Sequence, residues 1–172
     1  MLYSRLMTRI LITGMSGTGK SSVVGALSER GYAAVDADSD QYSHWVAADT
    51  LAPAAGTPVE SGRDWVWREE RIGELLARHQ AGTLFVSGCA PNMGAFLGGF
   101  DHVVLLSAPA QLIVERLATR TTNQYGKRPE EVARVLDLIE TVEPLLRRIA
   151  TREIDTRAPL DAVVAQVASL AE

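Results

Sequence analysis

The chain has 172 residues, of which 47% are hydrophobic, and its formal net charge is −4 at pH 7. This length predicts one compact α/β domain over residues 1–172, with a core that needs no disulfide bonds. The acidic balance argues against general nucleic-acid binding, and no apolar run approaches the roughly 18 residues that a membrane-spanning helix needs. We therefore expect no nucleic-acid and no membrane partner.

The N-terminal residues and the cysteine content favour a cytoplasmic protein. Residues 1–9 lack the long apolar stretch of a signal peptide, and Met7 is a second candidate start beside Met1. Cys89 has no second cysteine with which to form an internal disulfide, which fits a reducing compartment. We expect a monomer or a weak homodimer.

Apolar strands alternate with helices along the chain. A buried strand at 9–13 leads through a glycine-rich turn into a helix that Gly31 closes. The other predicted elements, in chain order, are a strand at 33–36, a polar and aromatic stretch at 38–48, a loop at 50–62, a helix at 64–80 with Asp64 as N-cap, strands at 84–87 and 102–107, a helix at 109–120, a polar loop at 121–128, a helix at 129–150, a strand at 154–155 and a final helix that Pro159 opens. This alternation predicts a five-stranded parallel sheet with helices on both faces and ligands at the carboxyl ends of its strands.

The segment from Gly14 to Ser21 matches the Walker A pattern in full and has the required position between a strand and a helix. Its glycines let backbone N–H groups converge on phosphate oxygens, and the helix N-terminus adds partial positive charge. Lys20 is expected to reach the β- and γ-phosphates, and Ser21 to ligate Mg²⁺. ATP and Mg²⁺ are therefore the predicted cofactors. The nucleotide-binding candidates in this loop are Gly14, Met15, Ser16, Gly17, Thr18, Gly19, Lys20, Ser21 and Ser22.

Two classes of P-loop protein fit the sequence poorly. A GTPase reads guanine with Asn-Lys-x-Asp, but neither Lys20 nor Lys127 has an aspartate two residues on. Motor and AAA-type ATPases usually end the third strand of the sheet in an acidic residue, whereas here that strand ends in Ser87-Gly88. A carboxylate for the Mg²⁺ shell must then come from another strand.

The second strand supplies it with Asp36-Ala37-Asp38 at its carboxyl end. Two carboxylates at this spacing suit a metal partner, Asp36, and a general base, Asp38, although a solvated turn pair is the alternative. At this point the chain resembles the P-loop small-molecule kinases. Shikimate kinases carry Asp-x-Asp here, and dephospho-coenzyme A kinases carry Asp-Ala-Asp. The resemblance to the shikimate and nucleotide kinase group, with AAA-type ATP-binding relatives, implies a P-loop NTPase fold with a short lid.

The predicted acceptor site covers about residues 37–82 and takes Arg68, Gly88 and Glu143 as further candidates. Arg68 falls on the apolar stripe of the predicted 64–80 helix, where it resembles an arginine of shikimate kinases; a structural salt bridge is the alternative. Glu143 falls on the stripe of the 129–150 helix, where shikimate kinases hold an arginine for the substrate carboxylate. Because a glutamate opposes a carboxylate, shikimate is rejected as the acceptor. Trp45 and Trp65 are candidates for stacking on a ring or for core packing.

A cationic segment follows the fourth strand. Arg116 and Arg120 resemble the Arg-x-x-x-Arg at the base of the kinase lid, which implies that Arg116 stacks on adenine and that Arg120 contacts phosphates during catalysis. The loop at 121–128 is the predicted lid; a solvated cationic face is the alternative. The last candidates for nucleotide binding, on the adenine side, are Arg157, Ala158 and Pro159.

Together these features predict an ATP- and Mg²⁺-dependent phosphotransferase, with Lys20, Asp38 and Arg120 as its catalytic residues. Its partner is a small molecule with an acceptor hydroxyl. A nucleotide or dephospho-coenzyme A kinase is the alternative within the same class. An ATP-binding regulator or an ATPase without a small-molecule acceptor is the alternative of another class.

Overall fold

The computed structural model describes residues 7–47 and 62–171, and its main feature is a five-stranded sheet. The strands of this sheet are β1 (Thr8–Thr13), β2 (Ala33–Asp36), β5 (Thr83–Ser87), β6 (His102–Ser107) and β7 (Arg152–Asp155). They lie in the order β2-β5-β1-β6-β7, and every neighbouring pair is parallel. The predicted five-stranded parallel sheet is confirmed.

Helices cover both faces of the sheet, because each central strand is apolar on both sides. The described part of the chain contains six α-helices: α1 (Lys20–Glu29), α2 (Glu69–Arg78), α3 (Ala110–Thr119), α4 (Pro129–Thr141), α5 (Glu143–Ile149) and α6 (Leu160–Ala168). In β1, Ile10 and Ile12 pack in one cluster with residues of α1 and α6, whereas Leu11 packs in the opposite cluster with residues of α2, α4 and α5. Short 3-10 helices lie at Met93–Gly99 and Ser169–Ala171.

A second, two-stranded antiparallel sheet replaces the first part of the predicted 64–80 helix. It pairs β3 (Ser43–Ala47) with β4 (Arg63–Trp67), so Asp64 lies within a strand and Arg68 is the residue that precedes α2. Aromatic and β-branched residues favour a strand, and Trp65 and Trp67 recur with the period of two that a strand requires. The prediction of one helix over 64–80 is wrong in its first five residues.

The predicted 129–150 helix is interrupted at Val142, between α4 and α5. Pro144 lies in the first turn of α5, where its missing N–H costs nothing, whereas inside one continuous helix it would remove a hydrogen bond. The proline therefore explains why one predicted helix is two.

The predicted loop at 50–62 lies outside the described residues except for Gly62. Residues 1–6 also lie outside them, so the choice between Met1 and Met7 as the translation start stays open. Within the ranges that the structure describes, no helix is long and apolar enough to cross a membrane.

Candidate active site

A cleft of about 790 Å³ opens at the carboxyl end of the parallel sheet. The P-loop forms its floor, the end of β2 and the β3–β4 hairpin form one wall, and α3, the following loop and the start of α6 form the other. The residues that line it are Ser16, Gly17, Thr18, Gly19, Lys20, Ser21, Ser22, Val23, Asp36, Asp38, Asp40, Trp45, Trp65, Cys89, Arg116, Thr119, Arg120, Thr122, Asn123, Tyr125, Thr156, Ala158, Leu160 and Val163.

The P-loop has a backbone that only glycines allow. Gly14, Gly17 and Gly19 have φ angles of 149°, 87° and 101°, and a Cβ on Gly14 would overlap the carbonyl oxygen of Leu106. Gly19 caps α1 and has no side chain to accept the N–H groups of the first turn, so these groups remain suited to an anion. Gly14 and the buried Met15 shape the loop and do not line the cleft.

Lys20 folds back on the loop that carries it. Its Nζ donates hydrogen bonds to the carbonyl oxygens of Gly14, at 2.6 Å, and Met15, at 3.1 Å. Two neutral carbonyls are weaker partners for an ammonium group than the oxygens of a triphosphate, because charge-assisted hydrogen bonds are roughly twice as strong as neutral ones. The geometry therefore holds a cation ready beside the anion-binding turn.

Ser21 and Asp36 bring two oxygen groups together at the mouth of the P-loop. Ser21 Oγ lies 3.4 Å from Asp36 Oδ2, and both residues line the cleft. No cluster of three potential metal-ligating side chains occurs among the described residues. A hydroxyl and a carboxylate are hard oxygen donors, and Mg²⁺ commonly takes only one or two protein ligands when phosphates and waters complete its shell. The pair therefore fits Mg²⁺ held together with a bound nucleotide.

Asp38 is held by two hydrogen-bond donors that make three contacts with its carboxylate. Trp67 Nε1 donates to Oδ1 at 3.1 Å, and the backbone N–H of Cys89 donates to both oxygens, at 3.3 and 3.1 Å. Burial raises the pKa of Asp38 above its ordinary value, the Lys20 charge and these hydrogen bonds oppose the rise, and the Asp36 charge adds to it. The carboxylate is thus fixed in position and more basic than a solvated aspartate.

Gly88 makes this arrangement possible without lining the cleft itself. A Cβ at this position would lie 2.8 Å from Asp38 Oδ1 and 2.8 Å from Trp67 Cζ2. The glycine therefore serves to let the carboxylate and the indole approach the end of β5, which differs from the direct acceptor contact that the sequence predicted for it.

Cys89 supplies its backbone and not its thiol to the site. Burial raises the pKa of the thiol to about 11, so it is protonated near neutral pH. The side chain packs in the core cluster beneath the cleft. We therefore assign it no nucleophilic role.

The predicted adenine side of the cleft is built around Arg116. Its guanidinium donates to Thr156 Oγ1 at 2.9 Å and to the carbonyl oxygen of Gly17 at 3.4 Å, which joins α3 to the end of β7 and to the P-loop. Of the three candidates after β7, only Ala158 lines the cleft. Arg157 is exposed and pairs with Asp155, and Pro159 precedes α6.

The predicted lid at 121–128 borders the same cleft. Arg120 at its start donates to Ser16 Oγ of the P-loop at 3.3 Å and to the Tyr125 carbonyl oxygen at 2.7 Å. Lys127 donates to the Ala118 carbonyl oxygen at 2.7 Å, and the Gly126 N–H donates to Glu131 at 2.9 Å. One guanidinium thus connects the lid to the phosphate-binding loop.

The structure does not bring Arg68 and Glu143 into the cleft. The Arg68 Nε donates to the Ser43 carbonyl oxygen at 3.1 Å, which fastens the hairpin to α2. Glu143 is buried and pairs with Arg147 at 2.9 Å, and Arg147 also binds Glu153 on β7. Both side chains have structural partners here, so the structure does not support the acceptor contacts that the helical stripes suggested. Glu143 then gives no ground for rejecting shikimate as the acceptor.

The sequence carried a signal for three residues near Asp38: Asp40, which was not a predicted site residue, Trp65, which was a candidate for stacking, and the buried Trp67, which does not line the cleft. Asp40 continues the alternation of Asp36 and Asp38, and Trp65 and Trp67 share the period of a strand. Trp65 lines the cleft and donates from Nε1 to the Asp38 carbonyl oxygen at 2.8 Å. Reading the segment as a strand would have placed both indoles on the side of Asp38.

Comparison with solved structures finds the same fold in kinases of several kinds. The shikimate kinase from Acinetobacter baumannii in complex with shikimate has a TM-score of 0.63 at 20% identity, covering 96% of this chain and 93% of that one. The gluconokinase from Sinorhizobium meliloti 1021 has a TM-score of 0.56 at 21% identity, covering 97% and 95%. A sugar kinase from Janibacter sp. HTCC2649 has a TM-score of 0.56 at 17% identity, covering 95% and 94%. At these identities the likeness shows a shared fold.

Sequence comparison gives the family. No curated protein matches the chain significantly. The family described as AAA domain matches residues 10–137, which is more than half of the 172 residues and includes the P-loop, Asp36, Asp38 and the predicted lid. The chain therefore belongs to the AAA domain family and has the P-loop NTPase fold seen in shikimate kinases and gluconokinases.

Proposed function

We propose that this protein is an ATP- and Mg²⁺-dependent phosphotransferase that moves the γ-phosphoryl group to a hydroxyl of a small molecule. One observation carries the proposal: Asp38 lies in the same cleft as Lys20, fixed by Trp67 and raised in pKa by burial. A positioned carboxylate can orient either water or an acceptor hydroxyl, and the acidic and aromatic wall beside Asp38 favours an organic acceptor. The cleft of about 790 Å³ lies within the range of about 300–1,000 Å³ that ligand sites commonly span, and its lining includes Trp45 and Trp65, which lie outside the P-loop.

The P-loop residues bind and orient the triphosphate. The N–H groups at the start of α1 bind phosphate oxygens, and Lys20 moves from its two carbonyl partners to the β- and γ-phosphates. Ser21 and Asp36 would hold Mg²⁺ beside the phosphates. When bound, Mg²⁺ supplies charge stabilisation at the phosphates. Arg116, Ala158 and Leu160 form the adenine side.

Asp38 accepts the proton of the acceptor hydroxyl. The acceptor hydroxyl becomes more acidic as its oxygen begins to bond to phosphorus. A positioned carboxylate can therefore take the proton late in the transfer. A raised pKa makes the Asp38 carboxylate a stronger base than a solvated aspartate. Phosphate acceptors need no such base, which favours a hydroxyl acceptor over the nucleotide-kinase alternative.

The loop at 121–128 closes over the nucleotide. Arg120 already contacts Ser16 of the P-loop, and burial lowers its pKa without removing its charge. In the closed site this guanidinium stabilises the charge that develops on the transferred group, and Tyr125 excludes water from one side.

Titration with Mg-ATP in the wild type and in Lys20→Ala tests the nucleotide site. We expect a loss of affinity of at least about tenfold, since one charge-assisted contact to phosphate contributes about 1.5–3 kcal/mol. Arg78→Ala removes an exposed cation from α2 and serves as the control. Equal affinities of Lys20→Ala and the control would contradict the site assignment.

A further inference from the structure

The wall of the cleft beside Asp38 has an unusual composition for a kinase that binds an anionic acceptor. The side chains of Asp38, Asp40, Trp45 and Trp65 line it, and Asp36 lies at its inner edge. If Asp36 is used for Mg²⁺, two carboxylates and two indoles remain to meet the acceptor. This part of the cleft is acidic and aromatic.

The cations that line the cleft lie on its other side and have other partners. Lys20 binds P-loop carbonyls, Arg116 binds Thr156, and Arg120 binds Ser16 and Tyr125. In the proposed function all three face the nucleotide. Among the described residues that line the cleft, none of these cations is left to neutralise a carboxylate or phosphate on the acceptor.

Among the described residues of β3 and β4, Arg63 is the one with a permanent positive charge. Its guanidinium lies 5.1 Å from the Trp45 ring centroid and does not line the cleft. The sequence of residues 48–61 contains Asp49 and Glu60 and has no lysine, arginine or histidine. The sequence that joins the two strands thus adds acidic and no basic residues.

The two indoles form a surface suited to a ring. Trp45 and Trp65 are directly paired across β3 and β4, with ring centroids 5.1 Å apart and planes at 65°. The hydrogen bond from Trp65 Nε1 to the Asp38 carbonyl oxygen fixes the position of this surface relative to the base. Aromatic faces bind flat apolar ring surfaces and attract cations.

We propose that the acceptor is a ring-bearing hydroxyl compound without negative charge, and that one bearing an amine is preferred over a neutral one. This inference rests on the proposed function and specifies its substrate class. The ring lies on Trp45 and Trp65, the acceptor hydroxyl reaches Asp38, and a protonated amine pairs with Asp40. The charges of Asp38 and Asp40 disfavour hydroxy acids and nucleotides.

The test uses matched sets of ring compounds that differ in one group. Glucosamine, glucose and glucuronate form one set, and aminated, neutral and phosphorylated nucleosides form another, within a wider library of amine, neutral and acidic ring alcohols. ADP formation from Mg-ATP is measured with each. We expect turnover with the amine and neutral members and the highest kcat/KM with an amine. Preference for an acidic member would overturn the inference and leave the proposed function standing. If ATP binds but no compound in any set increases its turnover, both the proposed function and the inference are overturned.

Two variants test the assigned contacts on the acceptor found. Asp40→Asn should raise the KM for an amine acceptor about fivefold, as expected for an exposed ion pair, and leave the KM for ATP unchanged. Asp137→Asn on α4 is the matched control. Trp45→Leu should raise the acceptor KM about tenfold, and Trp45→Phe should restore it because an aromatic face is kept. An unchanged acceptor KM in both Asp40→Asn and Trp45→Leu would contradict the assignment.

Discussion

Trp67 Nε1 donates a hydrogen bond to Asp38 Oδ1 across 3.1 Å, and the indole that makes it is completely buried. The strand β4 thereby fixes a carboxylate that belongs to the turn after β2. Asn92 holds Trp67 in turn, since Asn92 Oδ1 accepts the Trp67 backbone N–H at 3.0 Å and Nδ2 donates to its carbonyl oxygen at 2.9 Å. Hydrogen bonds from Asn92 to Trp67 and from Trp67 to Asp38 therefore position the proposed base.

Replacing Trp67 by phenylalanine should make Asp38 harder to ionise. The hydrogen bond from Trp67 lowers the pKa of Asp38, so its loss raises that pKa further. Because the base acts as a carboxylate, the acidic limb of the kcat/KM profile should move to higher pH. Phe96→Leu changes the packing on Trp67 but keeps the Nε1 donor, and it should leave the limb in place. A limb that does not move in Trp67→Phe would show that this hydrogen bond does not tune the base.

Adding one methyl group at Gly88 should displace the base. The Cβ would lie 2.8 Å from Asp38 Oδ1 and 2.8 Å from Trp67 Cζ2, so one of the two must shift. We expect Gly88→Ala to lower kcat by about 100-fold, as for other displacements of a catalytic group of about 1 Å, with unchanged affinity for Mg-ATP. Gly73→Ala on α2 meets no atom within 4 Å and is the control. Normal kcat in Gly88→Ala would contradict the positioning role of this glycine.

The ionised form of Asp38 should lower the free energy of unfolding. Its pKa is raised in the folded state, so the folded protein binds this proton more tightly than the unfolded chain does. The cost of the carboxylate is absent below the ordinary pKa of aspartate, grows as pH rises from there to the raised pKa, and is complete above the raised pKa. We expect Asp38→Asn to raise Tm near pH 7.5, by about 2–4 °C for each ~1 kcal/mol relieved. The difference should shrink in acid. A variant that is less stable than wild type at pH 7.5 would contradict this cost.

Glu143 should matter for stability and not for the acceptor. Its ion pair with Arg147 at 2.9 Å ties α5 to β7 through Glu153. Glu143→Gln should lower the free energy of unfolding by about 1–2 kcal/mol, because it weakens a charge-assisted hydrogen bond, and should leave the acceptor KM unchanged. Glu140→Gln, at an exposed position of α4, is the control for both measurements. A raised acceptor KM in Glu143→Gln would restore the acceptor role that the sequence suggested.

The nucleotide half of the cleft could be predicted from the sequence because its signals are local. The Walker A pattern, the strand before it and the helix after it are contiguous in the sequence. In the structure, Gly17 to Ser22 line the cleft. Asp36 and Asp38 follow for the same reason, since the carboxyl end of a parallel strand is known once the strand is known.

The acceptor half could not be predicted, because its residues meet through long-range pairing. Trp65 and Trp67 reach Asp38 only when β4 pairs with β3, and a helical stripe over 64–80 explains the same apolar positions equally well. The helical stripe around Glu143 correctly indicated burial, but burial alone does not distinguish a ligand from a partner such as Arg147. Pro144 was a usable signal for the break between α4 and α5.

The central claim is that this protein transfers the γ-phosphoryl group of ATP to a small molecule with Asp38 as base. The most direct measurement follows label from [γ-³²P]ATP, with Mg²⁺ and pooled ring alcohols, into organic phosphate and inorganic phosphate for the wild type and Asp38→Asn. We expect labelled organic phosphate with the wild type. With Asp38→Asn its rate of formation should fall by about 10²–10⁴-fold, the contribution of a general base, while ATP affinity persists. Label that appears only as inorganic phosphate, at a rate that neither the alcohols nor Asp38→Asn changes, would contradict it.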